Sequence, residues 1–213
     1  MSEAGTRVVL RPVATPLPLG FLALALATTA FAAVQLGWVP PPEGRVAALT
    51  ALAATVPLQL LASVVGFLAR DPVAATGMGV LSGTWGVVGL TTYTSPPGAV
   101  SAGLGVLLLT SAVAMAVSAV SASAKLVSAA VMGLAGVRFA VTGAYELTGS
   151  PSWQSAAGWV GLALGGLAVY AALALELEGS HGRTVLPLGR RGPARAAVEP
   201  SGVAGEPGVR PQL

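Results

Sequence analysis

Six runs of roughly twenty apolar residues follow one another through most of this chain, each long enough to cross a lipid bilayer as a helix. They lie at about 19–39, 46–69, 74–94, 98–121, 123–146 and 154–177, against the roughly 20 helical residues that a hydrocarbon core about 30 Å thick requires. Inside lipid every backbone N–H and C=O must be satisfied within the protein, so closely spaced apolar runs of this length fold as helices. The predicted fold class is all-α: an integral membrane six-transmembrane-helix bundle over residues 15–178. Flexible cytoplasmic tails are expected at 1–14 and 179–213, the second basic and rich in Pro and Gly.

Composition excludes much else. Of 213 residues, 54% are hydrophobic and 9% charged, far from a soluble domain. Too little chain remains outside the spans for a soluble catalytic domain of about 100 residues. There is no cysteine and one histidine, so no thiolate or clustered-imidazole metal site is expected, and no cofactor. No phosphate-binding loop appears and no nucleophile sits beside a base, so the chain reads as a non-enzyme. Basic residues do not interleave with aromatics, which argues against nucleic acid. Arg7, Arg11, Arg70, Lys125, Arg183, Arg190, Arg191, Arg195 and Arg210 fall on one side of the six-span layout and Arg45 on the other. The positive-inside rule then puts both termini in the cytoplasm of a multi-pass cell-membrane protein, with the tail arginines near lipid headgroups.

Along the chain, Pro16 and Pro18 open the first span, where amides lack intrahelical partners anyway. Arg7, Arg11 and the small residues at Ala30 and Ala32 also have the form of a secretory signal. The apolar run continues past them to Val39, so it is read as an uncleaved helix. Pro57 is expected to kink the second span beside Gln59, whose amide either faces the bundle interior or bonds a neighbouring helix. Gly158, Gly161, Gly165 and Gly166 give the sixth span a small-residue face for close packing. A helix break is expected at Gly179. Arg138 stands near the middle of the fifth span, where a charge costs about 2.5–3.5 kcal/mol unless it faces protein or water. Two readings stand: its guanidinium fork binds a carboxylate substrate, or its role is structural, paired with Glu176 or backbone carbonyls or snorkelling toward the interface.

The order Ala-Gly-Trp-Val-Gly-Leu at 157–162, then Tyr170, then Gly182-Arg183-Thr184-Val185-Leu186-Pro187-Leu188-Gly189, resembles the C-terminal part of the acetate uptake transporter family, the succinate-acetate permease group. The likeness is clear over 153–189 and weaker over 15–94. At the entrance, Thr15-Pro16-Leu17-Pro18-Leu19-Gly20 stands where the family has Asn-Pro-Ala-Pro-Leu-Gly. Phe67, Thr76 and Trp85 match further positions, while the family's Glu falls on Gly66 and its Tyr on Leu81. The family's later Glu falls on Leu175, one residue before Glu176.

The resemblance implies a narrow pathway in each protomer, assembly of protomers into homo-oligomeric rings of six, and transport of a small monocarboxylate such as acetate, or succinate, by proton symport or a channel-like route. By position, Leu24, Leu81 and Leu134 would narrow the path, and Thr15, Gln35, Gln59 and Arg138 would supply polar contacts. The altered motifs leave two other readings open: a passive pore for a neutral solute such as urea or an amide, and a non-transporting scaffold or regulatory subunit.

Overall fold

The computed structural model describes residues 13–192. Six helices in it are long and apolar enough to cross a membrane: α1 (Leu17–Gln35), α2 (Pro41–Leu68), α3 (Val73–Thr94), α4 (Ala102–Ser121), α5 (Leu126–Thr148) and α6 (Pro151–His181). The chain is thus the all-α, multi-pass bundle that its apolar runs predict. Residues 1–12 and 193–213, with Arg7, Arg11, Arg195 and Arg210, lie outside the described residues.

Local chemistry sets the helix ends. Pro16 precedes α1 and Pro18 sits in its first turn, where a missing amide costs nothing. Pro57 follows a wide π turn at Ala51–Thr55; this absorbs the hydrogen bond that proline cannot donate. At the start of α3, Asp71 Oδ1 accepts from the amides of Val73 and Ala74, both at 3.1 Å. Its Oδ2 pairs with Lys125 Nζ, also at 3.1 Å. The fourth helix begins at Ala102, later than the span expected from 98. Pro96, Pro97 and Gly98 (φ +80°) hold the chain out of a helix, and the Ser101 side chain then caps by accepting from Leu104 N.

Three antiparallel pairs build the body, α1 on α6, α4 on α5 and α2 on α3. The glycine face of α6 meets α1: a Cβ on Gly158 would come within 2.5 Å of Leu36, and one on Gly165 within 2.6 Å of Thr29. Such close approach replaces the hydrophobic drive that lipid does not provide. On the α2–α3 side, a Cβ at Gly66 would lie 2.6 Å from the backbone nitrogen of Ala75. No side chain could stand there without moving α3.

The sixth helix does not break at Gly179. It runs on to His181 and stops at Gly182, whose left-handed φ of 65° ends it. Without a Cβ to strain that turn, glycine is the natural stop. From there residues 183–191 turn back as a strap. Gly189 O and Leu188 O accept from the first amides of α5, Leu126 N at 3.2 Å and Val127 N at 3.3 Å, and Arg191 N donates to Ala124 O at 2.9 Å. The Tyr170 hydroxyl donates to Pro187 O at 2.8 Å. Buried Glu178 accepts from the Thr184 hydroxyl at 2.6 Å and from Arg190 Nη2. The Gly-Arg-Thr-Val-Leu-Pro-Leu-Gly motif is therefore a tie between α6 and α5, satisfying helix-end amides that would otherwise be orphaned. Order extends past Gly189, since Arg190 and Arg191 both make these contacts.

Candidate functional site

At the end of the bundle away from the strap, the helix ends splay around a cavity of ≈ 110 Å³, room for several water-sized molecules. Its wall carries Gln35, Arg45, Thr91, Thr92, Ser95, Glu146 and Gln154, and Phe31 contributes to its apolar side. Glu146 Oε2 accepts from Ser101 N at 2.8 Å, which fixes the mouth of α4 against α5.

Beside Phe31 the chain changes character. Its ring lies 5.6 Å from that of Trp85, and Trp85 lies 6.0 Å from Phe139 in an edge-on arrangement. Tilted and edge-on rings at this spacing are favourable contacts. The three come from α1, α3 and α5, so one aromatic group joins three helices. Trp85 is buried, and its Nε1 has no hydrogen-bond partner. Sequence reasoning kept Trp85 only as a family match and passed over Phe31 and Phe139. A signal was available: the other tryptophans, at 38, 153 and 159, sit at span ends where aromatic belts form, whereas Trp85 is inside a span.

Leu81 is one helical turn from Trp85 along α3, about 6 Å toward the strap end. Both Leu81 and Leu24 are fully buried and belong to the same apolar cluster as the aromatic trio, and half-buried Leu134 packs against that cluster. A turn below Leu24 on α1 is Gly20, where α1 and α3 press together: a Cβ there would meet Met78 Sδ at 2.3 Å. Gln59 of α2 reaches this level. Its Nε2 donates to Gly20 O at 3.5 Å, and its Oε1 is buried with no partner. Turning the amide over would set two oxygens face to face, so the Gly20 carbonyl fixes its orientation. On α4, the Ser118 hydroxyl is likewise buried without a partner, and seven residues away Ser111 pairs with Thr84 at 2.9 Å.

Arg138 faces a different seam, between α5, α1 and α6. Its Nη1 donates to Ala157 O at 2.6 Å and to the Thr142 hydroxyl at 2.9 Å, and its Nη2 donates to Gln35 Oε1 at 2.6 Å. The remaining Nε has no hydrogen-bond partner and looks onto Gly161, whose absent side chain makes room for it. Glu176 does not pair with Arg138. It is exposed on the strap side, while Arg138 is engaged near the cavity. Through Gln35 the arginine props the cavity wall. Thr15 stands at the opposite end, half-buried, its hydroxyl accepting weakly from Leu17 N at 3.5 Å. Leu24 and Leu81 thus share the core with half-buried Leu134, Gln59 stands beside Gly20, Gln35 lines the cavity and holds Arg138 behind it, and Thr15 stands beyond them at the strap end. Among the described residues no three His, Cys, Asp or Glu side chains come together as a metal site would need.

No protein-family model matches the sequence, and no curated protein matches it. Among solved structures, the chain is similar to one described as the bacterial acetate channel SatP. The likeness has a TM-score of 0.73 at 23% identity and covers 83% of this chain and 99% of the other. The fold of this chain is therefore the fold of that channel.

Proposed function

We propose that this chain belongs with the acetate uptake transporters and carries small monocarboxylates of the acetate class across a cell membrane by a channel-like route. The path enters at the cavity, passes the Phe31–Trp85–Phe139 group, narrows between Leu24, Leu81 and Leu134, and leaves toward the strap end past Gln59 and Thr15. The cavity end faces outward and both termini face the cytoplasm, with Arg70, Lys125 and the strap arginines inside. Protomers assemble as rings in the bilayer, each with its own path.

The observation that supports this reading is that three neutral side chains, Trp85, Gln59 and Ser118, bury an unpartnered polar atom in a bundle with the fold of an acetate channel; the Nε atoms of Arg138 and Arg190 are also unpartnered, on side chains held by their other nitrogens. Leaving such an atom unsatisfied costs about 1–3 kcal/mol. A passing polar solute or its water offsets that cost, which an inert scaffold would have no reason to bear three times over.

The test is uptake of labelled acetate into proteoliposomes holding the purified protein, with and without an inward proton gradient, beside protein-free vesicles. Saturable uptake above the control is the expected result, stimulated by the gradient if a proton accompanies the carboxyl group. Uptake no faster than the control would overturn the reading.

A further inference from the structure

Two of the unpartnered atoms have opposite and single hydrogen-bonding capacities. An indole N–H donates and cannot accept; an amide oxygen accepts and cannot donate. Trp85 Nε1 is the first and Gln59 Oε1 the second, and both are buried, in residues 3% and 0% exposed. They lie at different depths. Gln59 bonds Gly20, which meets Met78 of α3, and Trp85 stands seven residues beyond Met78 on the same helix, so the two levels are separated by about 10 Å. Between them stand Leu24 and Leu81, and the buried hydroxyls at this depth, Thr28, Thr55 and Ser82, already donate to Gly161 O, Ala23 O and Val56 O.

Nor does the interior offer a free charge. Among the described residues the buried ionisable side chains are Arg138 and Glu178. Arg138 spends its terminal nitrogens on Gln35, Ala157 and Thr142, and Glu178 is paired with Arg190 under the strap. Elsewhere on the helices around Gln59, the only buried polar side chains are neutral: Thr28 on α1, Thr55 and Ser63 on α2, Ser82 and Thr84 on α3. The guanidinium keeps its charge, since its three partners are neutral, but it faces the seam of α1, α5 and α6 rather than the level of Leu24, Leu81 and Gln59. At that level a solute travelling as an ion would lose its hydration with no charged side chain beside it, a cost far above that of a neutral polar group.

Resting on the transport reading above, we infer that Trp85 and Gln59 act as two sieves in series that select the uncharged form of the solute, the protonated carboxylic acid or a primary amide. At Trp85 the solute must present an acceptor, which a carbonyl oxygen does and an alkylammonium does not. At Gln59 it must present a donor, which the O–H of an acid or the N–H of an amide does and a carboxylate does not. The first contact rejects cations and the second rejects anions. Acetic acid and acetamide satisfy both, and the proton crosses as part of the acid, with no protein group taking it up.

The experiment uses the full-length protein in liposomes and four probes of similar size: acetate over a range of pH, acetamide, methanesulfonate as an anion that stays charged, and methylammonium. Stopped-flow flux is read against protein-free vesicles. The expected result is protein-dependent flux of acetamide at all pH values and of acetate in proportion to its protonated form, with methanesulfonate and methylammonium at the control level. Gln59→Met keeps the volume and removes the acceptor. It should lower acetamide and acetate flux together by about tenfold, the size of one hydrogen bond, while the protein stays monodisperse in detergent. Methanesulfonate flux equal to that of acetate, or acetate flux that follows total acetate as pH rises, or Gln59→Met without effect on either solute, would overturn the sieve while leaving transport intact. Acetamide flux without any acetate flux would instead remove the carboxylate reading and keep the sieve. Absence of both would remove both.

Discussion

Arg138 and Gln59 are both polar, both buried and both inside spans, yet the bundle treats them in opposite ways. Arg138 is held by three hydrogen bonds from its terminal nitrogens, to α1, α5 and α6. Gln59 has one long bond to Gly20 and an oxygen with nothing to accept. A charge in a membrane interior is tolerated when it is engaged, and then it works as a brace. A neutral amide costs less to leave half-satisfied, and then it is available to something that passes. The seam of α1, α5 and α6 around Arg138 is accordingly a structural joint, whereas Gln59 stands on the path proposed above.

That contrast breaks most visibly at Arg138. Arg138→Met removes three hydrogen bonds and orphans Gln35 Oε1, while Thr142 keeps its bond to the residue 138 carbonyl and Ala157 O its place in the helix ladder; it should cost about 3 kcal/mol, at about 1 kcal/mol for each lost bond. Thermal unfolding of the purified protein in detergent reads this directly. Arg138→Lys should recover only part of the loss, because one ammonium cannot reproduce a planar fork aimed at several acceptors. An unchanged unfolding midpoint in Arg138→Met would mean the guanidinium is free for a substrate after all.

A smaller effect is expected behind the same side chain. A Cβ at Gly161 would stand 2.9 Å from Arg138 Nε and 3.1 Å from the Ala32 side chain. Gly161→Ala should therefore destabilise by about 1–3 kcal/mol, the usual range for overpacking, on the same unfolding measurement. Smallest of all is the stability change for Gln59→Met, less than about 1 kcal/mol, since it removes an acceptor that has no partner and a single long bond to Gly20 O, which keeps its place in the helix ladder. Its effect belongs in flux. If Gln59→Met unfolded the protein as readily as Arg138→Met, the two regions would not differ in kind.

The sequence made the architecture readable because length and apolarity decide it: a run of about 20 apolar residues has one solution in lipid. It also marked Arg138 and Gln59 as the residues needing explanation, since polar groups inside spans are conspicuous. Their partners were not readable. Gln35 is 103 residues from Arg138 in the chain, and it is α6, packed on both α1 and α5, that brings their helices together. The strap was hidden for a related reason. Glycine at 179 and at 182 look alike in sequence, but Gly182 is the one at positive φ, and Glu178 is buried by residues that follow it. The meaning of Gly66 likewise emerges only where the α3 backbone comes close.

The most direct test of the proposed path is to widen it at Leu81. Leu81 is fully buried within the cluster that joins Leu24 to the aromatic trio; Leu81→Ala should cost about 2–5 kcal/mol of stability through the space it opens. Proteoliposomes of the wild type and of this variant, both checked for monodispersity, are compared for acetate and butyrate uptake. The account predicts faster acetate flux in Leu81→Ala and entry of butyrate that the wild type holds back. Identical rates and an identical preference for acetate in the two proteins would place the path elsewhere and contradict it.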